Sequence, residues 1–117
     1  MDRFNSILQT LINNSGADGA ILISPDGLAI SSVFRGSYDE DRVAAMGAAI
    51  LSLGERVNSE LQKGGLEQLY VKGSEGYILF TGIGNSAVLG VTTSGDVKLG
   101  LILMEVKRAI DSFKEVL

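Results

Sequence analysis

The sequence predicts an α+β fold with the order α-β-β-α-β-β-β-α, in which five strands form one antiparallel sheet and three helices cover it. Apolar residues recur at helical spacing in three segments, and strand-like segments lie between them. The links between neighbouring strands are too short for a parallel crossover, so these strands must pair antiparallel. Helices must cover the sheet centre on both sides, because three strand segments are apolar on both faces. These segments are Ala20–Ile23, Ile78–Phe80 and Ala87–Val91.

The first third of the chain predicts a helix followed by a β-hairpin. The helix follows a possible N-cap at Asp2, and residues 14–16 end it. A strand over residues 19–24 leads into the turn Ser24-Pro25-Asp26-Gly27, where Pro presets φ and Gly closes the turn. The apolar positions that carry the two patterns are Phe4, Ile7, Leu8 and Leu11 in the helix and Leu28, Ile30 and Phe34 in the second strand.

The remainder predicts a long helix, three strands and a last helix. Asp39-Glu40-Asp41 supplies negative charge at a helix start, and the helix runs to about Gln62 before Gly64-Gly65 breaks it. Strands follow at 66–72, 77–83 and 86–93. Ser94-Gly95-Asp96 offers an N-cap to the last helix. Its apolar stripe is Leu99, Ile102, Val106, Ile110, Phe113 and Leu117.

Composition restricts the classes of function. The 117 residues suit one domain spanning 1–117, and the net charge of −4 without a Lys/Arg cluster argues against nucleic acid. The longest apolar run, 43–51, is about half a membrane span, so we expect no membrane insertion. The chain start lacks the apolar core of a secretory signal, which favours the cytoplasm.

The residue types also argue against catalysis. Cys and His are absent, which removes thiol nucleophiles, thiolate metal sites and the commonest general base. Glu40 and Asp41 are paired carboxylates, but a helix start explains them better than a catalytic pair. Gly82-Ile83-Gly84 is interpreted as a hairpin turn, since no helix follows it as in a phosphate loop. We therefore expect no enzyme, with no catalytic residues, no metal and no cofactor.

Two elements predict protein contacts. The third strand is more mixed in polarity, as an edge strand is, and nothing obvious blocks backbone pairing at Leu69, Tyr70 and Val71. The second helix is apolar all round over 43–51, whereas a surface helix needs one apolar stripe. One face of this helix is expected to lie against the sheet, and it consists of Val43, Gly47, Ile50, Gly54, Val57 and Leu61. Ala44, Ala48, Leu51 and Ser52 then lie on another side. Helix propensity is the alternative explanation of the alanines.

The chain resembles the roadblock/dynein light chain family, and within it the compact bacterial members of the MglB type. The resemblance covers nearly the whole chain. It rests on 19–28 in the first hairpin (Gly-Ala-Ile-Leu-Ile-Ser-Pro-Asp-Gly-Leu), the Ala-rich second helix, 84–91 (Gly-Asn-Ser-Ala-Val-Leu-Gly-Val) and the opening 99–101 (Leu-Gly-Leu) of the last helix. It implies a roadblock/profilin-like sheet sandwiched between one long helix and two terminal helices.

The resemblance also implies a homodimer in which third strands pair across a two-fold axis and second helices pack side by side. The residues expected to dimerise are Met46, Leu53, Leu66, Gln68, Leu69, Tyr70 and Val71. Family members of this kind serve as platforms that bind small Ras-like GTPases and modulate their nucleotide cycle. Carried over by position, the partner contacts are Ala44, Ala48, Leu51, Ser52 and Glu55.

The sequence leaves two points about the partner contact and one alternative function open. The sequence does not assign the sides of the second helix to the partner and to the sister subunit. Arg42 and Arg56 are interpreted as solvent-facing charges, the alternative being an arginine supplied in trans to a GTPase. The alternative function is a structural adaptor or ligand-sensing module, associated with a motor or scaffold, that binds no GTPase.

Overall fold

The computed structural model describes residues 2–95 and 97–117 and confirms the predicted fold class and element order. Its elements are α1 (Arg3–Ser15), β1 (Gly19–Ile23), β2 (Ala29–Phe34), α2 (Glu40–Glu60), β3 (Leu69–Gly73), β4 (Gly76–Ile83), β5 (Ala87–Ser94) and α3 (Leu99–Val116).

The five strands form one sheet in the order β2-β1-β5-β4-β3, with every neighbouring pair antiparallel. The three strands predicted to be apolar on both faces, β1, β4 and β5, are the interior strands. The more mixed β3 lies at one edge, as predicted, and β2 lies at the other.

Helices cover both faces of the sheet, so the core has two layers. On one face, α1 and α3 pack against inward residues such as Leu22, Leu79 and Leu89. On the other face, α2 packs against Ile21, Ile23, Phe80 and Val88. This is the arrangement that the family resemblance implies.

Local signals placed most helix ends correctly. Asp2 accepts a hydrogen bond from the Asn5 N–H at 2.7 Å, and Asp39 accepts one from the Arg42 N–H at 3.1 Å. Gly16 ends α1 with φ of 78°, the left-handed conformation that suits glycine. Of the predicted cap segment Ser94-Gly95-Asp96, Asp96 lies outside the described residues. The helix α3 begins after Lys98, whose side chain makes no capping bond.

The predicted orientation of α2 is partly wrong. Ala44 and Leu51, expected away from the sheet, are buried against it with exposures of 0% and 6%. Val57 and Leu61, expected to face the sheet, are exposed. The physical reason is that sheet side chains approach Gly47 too closely for a larger residue to fit there. A Cβ there would lie 2.7 Å from Phe80 Cε1 and 2.9 Å from Ile23 Cδ1, so the helix turns its smallest side towards the bulky sheet residues.

Gly47→Ala is therefore expected to destabilise the protein, although alanine is the better helix former. Overpacking against Phe80 and Ile23 should outweigh the gain in helix propensity and lower the free energy of unfolding by about 1–2 kcal/mol. The matched control is Gly100→Ala in α3, where a Cβ meets no atom within 4 Å. We expect the control to be neutral or stabilising in thermal unfolding. Equal stability of the two variants would contradict the close approach at Gly47.

The starts of β3 and β2 differ from the prediction. β3 begins at Leu69, so Leu66 and Gln68 precede it; the Glu67 carbonyl accepts a hydrogen bond from the Thr81 hydroxyl at 2.9 Å. Leu28 lies before β2 and is exposed, and the register between β1 and β2 shifts at Leu22/Ile23. Strand alternation alone does not locate such an irregularity.

Candidate partner-binding site and dimer interface

A shallow depression lies on the α2 face, between α2 and two hairpin turns. Its volume is about 170 Å³. The side of α2 contributes Ala48, Leu51, Ser52 and Glu55, the β1–β2 turn contributes Pro25, and residues 82–88 contribute the opposite wall. Four of the five residues predicted to contact a partner therefore line one depression.

The fifth residue, Ala44, does not belong to this depression, because it is fully buried in the protomer. Leu51 forms part of the floor and is nearly buried, whereas Ser52 and Glu55 are exposed at the rim. Ala48 is half-buried, and its Cβ would lie 3.3 Å from a Cβ built on Gly27. The turn lies beside Ala48, and the absence of a side chain at Gly27 leaves space for it.

The lining of this depression consists mainly of apolar and uncharged residues. Glu55 is the one ionisable residue in its lining, so the lining holds no acid–base pair. Within residues 2–95 and 97–117, no group of His, Cys, Asp and Glu side chains is placed to hold a metal ion. Pro25, Gly84 and Asn85 were missed by sequence reasoning, since only the folded sheet brings the two turns beside α2.

A second surface on α2 is an exposed apolar stripe. Met46, Leu53, Val57 and Leu61 lie near one another on the helix surface, and their exposures are 57%, 61%, 47% and 62%. Met46 and Leu53 were predicted to be dimer residues, whereas Val57 and Leu61 were predicted to face the sheet. The helical spacing of the four residues, at intervals of seven, four and four positions, is the sequence pattern that places them on one side of α2.

The stripe lies on the side of α2 that faces the β3 edge. A Cβ built on Gly54, next to this stripe, would meet Leu66 at 3.2 Å and Leu69 at 3.7 Å. Ala45 and Ala48 lie on the opposite flank, beside the turn at Gly27. The apolar stripe and the depression therefore occupy different sides of one helix.

The free edge of β3 presents backbone groups at known positions. Gly73 and Gly76 pair across the two-residue turn that closes the hairpin, and hydrogen-bonded pairs alternate along an antiparallel ladder. The N–H and C=O groups of Leu69, Val71 and Gly73 thus point to β4. Those of Tyr70 and Lys72 point outward, where within the described residues no side chain bonds to them.

The other edge of the sheet is partly covered. The side-chain amide of Asn5, in α1, donates to the Ser32 carbonyl of β2 at 3.4 Å. No such contact is made by a described residue at the outward groups of β3. Among the described residues, β3 is therefore the more open of the two edges to pairing with another chain.

The Tyr70 side chain is anchored beside this edge. Its hydroxyl donates to Gln68 Oε1 at 2.7 Å. Burial, together with the nearby Tyr77 hydroxyl, raises the pKa of Tyr70 above its usual value. A phenol is protonated near neutral pH in any case, and the raised pKa extends the pH range over which the hydroxyl donates this hydrogen bond. Gln68 and Tyr70, both predicted at the interface, are brought together by it.

The family model of the Roadblock/LC7 domain matches residues 3–93. The chain belongs to the roadblock/LC7 family. An uncharacterized protein of Methanocaldococcus jannaschii is 37% identical to this roadblock chain over 108 residues, which are 92% of this chain and 91% of that protein. No helix among the described residues of this roadblock protein is long and apolar enough to span a membrane.

Solved structures share this fold. Myxococcus xanthus MglB superposes with a TM-score of 0.92 at 20% identity, over 99% of this chain and 95% of that one. A structure described as MglB with tetrameric arrangement superposes with a TM-score of 0.87 at 18% identity, over 94% of this chain and 84% of that one. At these identities, the likeness establishes the fold of the roadblock chain.

Proposed function

We propose that this roadblock protein is a non-enzymatic regulatory platform in the cytoplasm, which works as a homodimer, binds a small Ras-like GTPase and modulates its nucleotide cycle. The observation that carries the proposal is the depression on the α2 face, where Ala48, Leu51, Ser52 and Glu55 converge with two hairpin turns. The family resemblance implies that the surface of α2 is the platform that binds the partner. Membership of the roadblock/LC7 family supports the regulatory role.

The homodimer is supported by two adjacent unpartnered features. The outward groups of Tyr70 and Lys72 offer a strand edge, and the apolar stripe of α2 lies on the same side of the protomer. One two-fold contact that pairs β3 with β3 also brings the two stripes together. Such an interface would bury about 1,600 Å² in total, the size typical of a specific complex.

The expected mode of regulation is a shift in the partner's own conformations. Arg42 and Arg56 are exposed and do not line the depression, which favours regulation without an arginine supplied in trans. We infer that the platform holds the partner's switch segments in one of their alternative arrangements. The catalytic groups and the nucleotide then both belong to the GTPase.

The direct test is a titration of the purified protein against the Ras-like GTPase encoded nearest to it, loaded in turn with GDP and with a GTP analogue. We expect saturable binding that depends on the nucleotide, and a changed rate of hydrolysis or exchange. The protein alone should neither bind nor hydrolyse GTP. Tight GTP binding by the isolated protein, or no binding to the GTPase in either state, would contradict the proposal, and the latter result would favour the adaptor function.

A further inference from the structure

A candidate for a second site lies on the opposite face of the sheet, between α1 and α3. The cavity there has a volume of about 330 Å³, which falls within the range of small-molecule sites. Its apolar wall consists of Ile7, Leu11 and Ala109, and Thr10 and Ser112 add hydroxyl groups. It shares no residue with the depression beside α2.

This cavity contains a buried carboxylate. Glu105 has 4% of its surface exposed, although a charged side chain is seldom buried without strong partners. Its Oε1 accepts from the Asn14 amide at 3.5 Å, which is at the outer limit for a hydrogen bond. Its Oε2 faces the Arg108 guanidinium at 3.2 Å. The negative charge of Glu105 is therefore balanced mainly by the Arg108 guanidinium.

That cation is held loosely. The Arg108 side chain is 67% exposed, whereas the Glu105 side chain is 5% exposed. The two residues are three positions apart on α3, and only the arginine end of the pair is exposed to water. When the guanidinium leaves, it returns to water, whereas the buried carboxylate needs another cation in its place. A second cation that enters the cavity can therefore replace Arg108, because the charge of Glu105 stays paired during the exchange.

We propose that the cavity between α1 and α3 binds an organic cation, a primary ammonium group on a short aliphatic chain. The ammonium takes the place of Arg108 beside Glu105, and its remaining N–H groups donate to the Asn14 side-chain oxygen and the Thr10 hydroxyl. The aliphatic chain packs on Leu11 and Ala109, which are buried in the cavity wall. The net charge of −4 favours the approach of a cation.

The test is an NMR titration of the full-length protein with putrescine, with butanediol as the neutral probe of equal length. We expect saturable shifts at Asn14, Glu105 and Arg108 with putrescine and none with butanediol. Glu105→Gln keeps the shape of the side chain and removes its charge, and should weaken putrescine binding roughly tenfold or more. Arg108→Ala removes the competing cation, and should tighten binding about twofold to fivefold.

The two variants are expected to change the affinity for putrescine in opposite directions. This distinguishes the site from a purely structural ion pair, for which neither variant would bind putrescine more tightly. Arg108→Ala changes an exposed side chain, so its result stands even if Glu105→Gln fails to fold. Capped lysine serves as a second probe, because it binds if the site takes a partner's lysine side chain and not if it takes only free diamines; either result supports the proposal. Absence of saturable shifts with both probes, or weaker binding by Arg108→Ala, would overturn it. GTPase binding by Arg108→Ala should be unchanged, since the two sites lie on opposite faces.

Discussion

Ala48→Arg is expected to remove partner binding while the dimer persists. Ala48 lines the depression beside α2, next to the turn at Gly27, so a longer side chain there would extend into the space that the partner would occupy. The new guanidinium would be desolvated without a partner, at a cost of at least about 3 kcal/mol. Titration against the GTPase should therefore show a Kd raised at least about a hundredfold.

Two further variants make this result interpretable. Ser52→Arg adds the same bulk at an exposed rim residue of the depression, so it tests the site if Ala48→Arg disturbs the turn. Ala49→Arg is the matched control, because Ala49 is exposed on α2, does not line the depression and is not among the residues nearest the turn at Gly27. The control should bind as the wild type does. Undiminished binding by both site variants, with melting temperatures intact, would refute this site.

Tyr70→Pro is expected to weaken the dimer more than any side-chain truncation on β3. The N–H of Tyr70 points away from β4, so proline removes a donor from the free edge and none from the β3–β4 ladder. The change occurs twice in a two-fold dimer. Dissociation should become easier by about 2 kcal/mol, which is roughly a thirtyfold higher dissociation constant in sedimentation equilibrium.

Tyr70→Ala is the control for this variant, since it deletes the side chain and its bond to Gln68 but keeps the backbone donor. We expect a smaller effect on the dimer than that of proline. Equal dimerisation by Tyr70→Pro and wild type would show that β3 is not at the interface. A wild-type protein that is monomeric at micromolar concentration would overturn the dimer itself.

Features that depend on nearby residues were predictable from the sequence. Asp2 and Asp39 cap helices where the pattern places them, because a cap bonds to a backbone N–H three residues away. The short hairpin links required antiparallel pairs, and the polarity of the strands separated the interior from the edges. Met46 and Leu53, which were expected to be dimer residues, are both exposed on α2.

Features that depend on distant residues were not predictable. Asn14 and Glu105 are 91 positions apart, and no local pattern indicates that a carboxylate in α3 is buried beside α1. The depression likewise joins α2 to turns at Pro25 and Asn85, which only the sheet order brings together. Leu66 and Leu69 are both leucines of the same predicted strand, yet β3 begins only at Leu69, where pairing with Phe80 starts.

The sequence by itself determined the element order, the antiparallel sheet and the open third strand of this roadblock protein, because periodicity, turn residues and link length act over a few residues. Only the tertiary structure decided which side of α2 meets the sheet. A helix that is apolar all round has no single stripe to fix its rotation. The close approach of Gly47 to Phe80 and Ile23 fixes it instead, burying Ala44 and leaving the apolar stripe and the depression exposed.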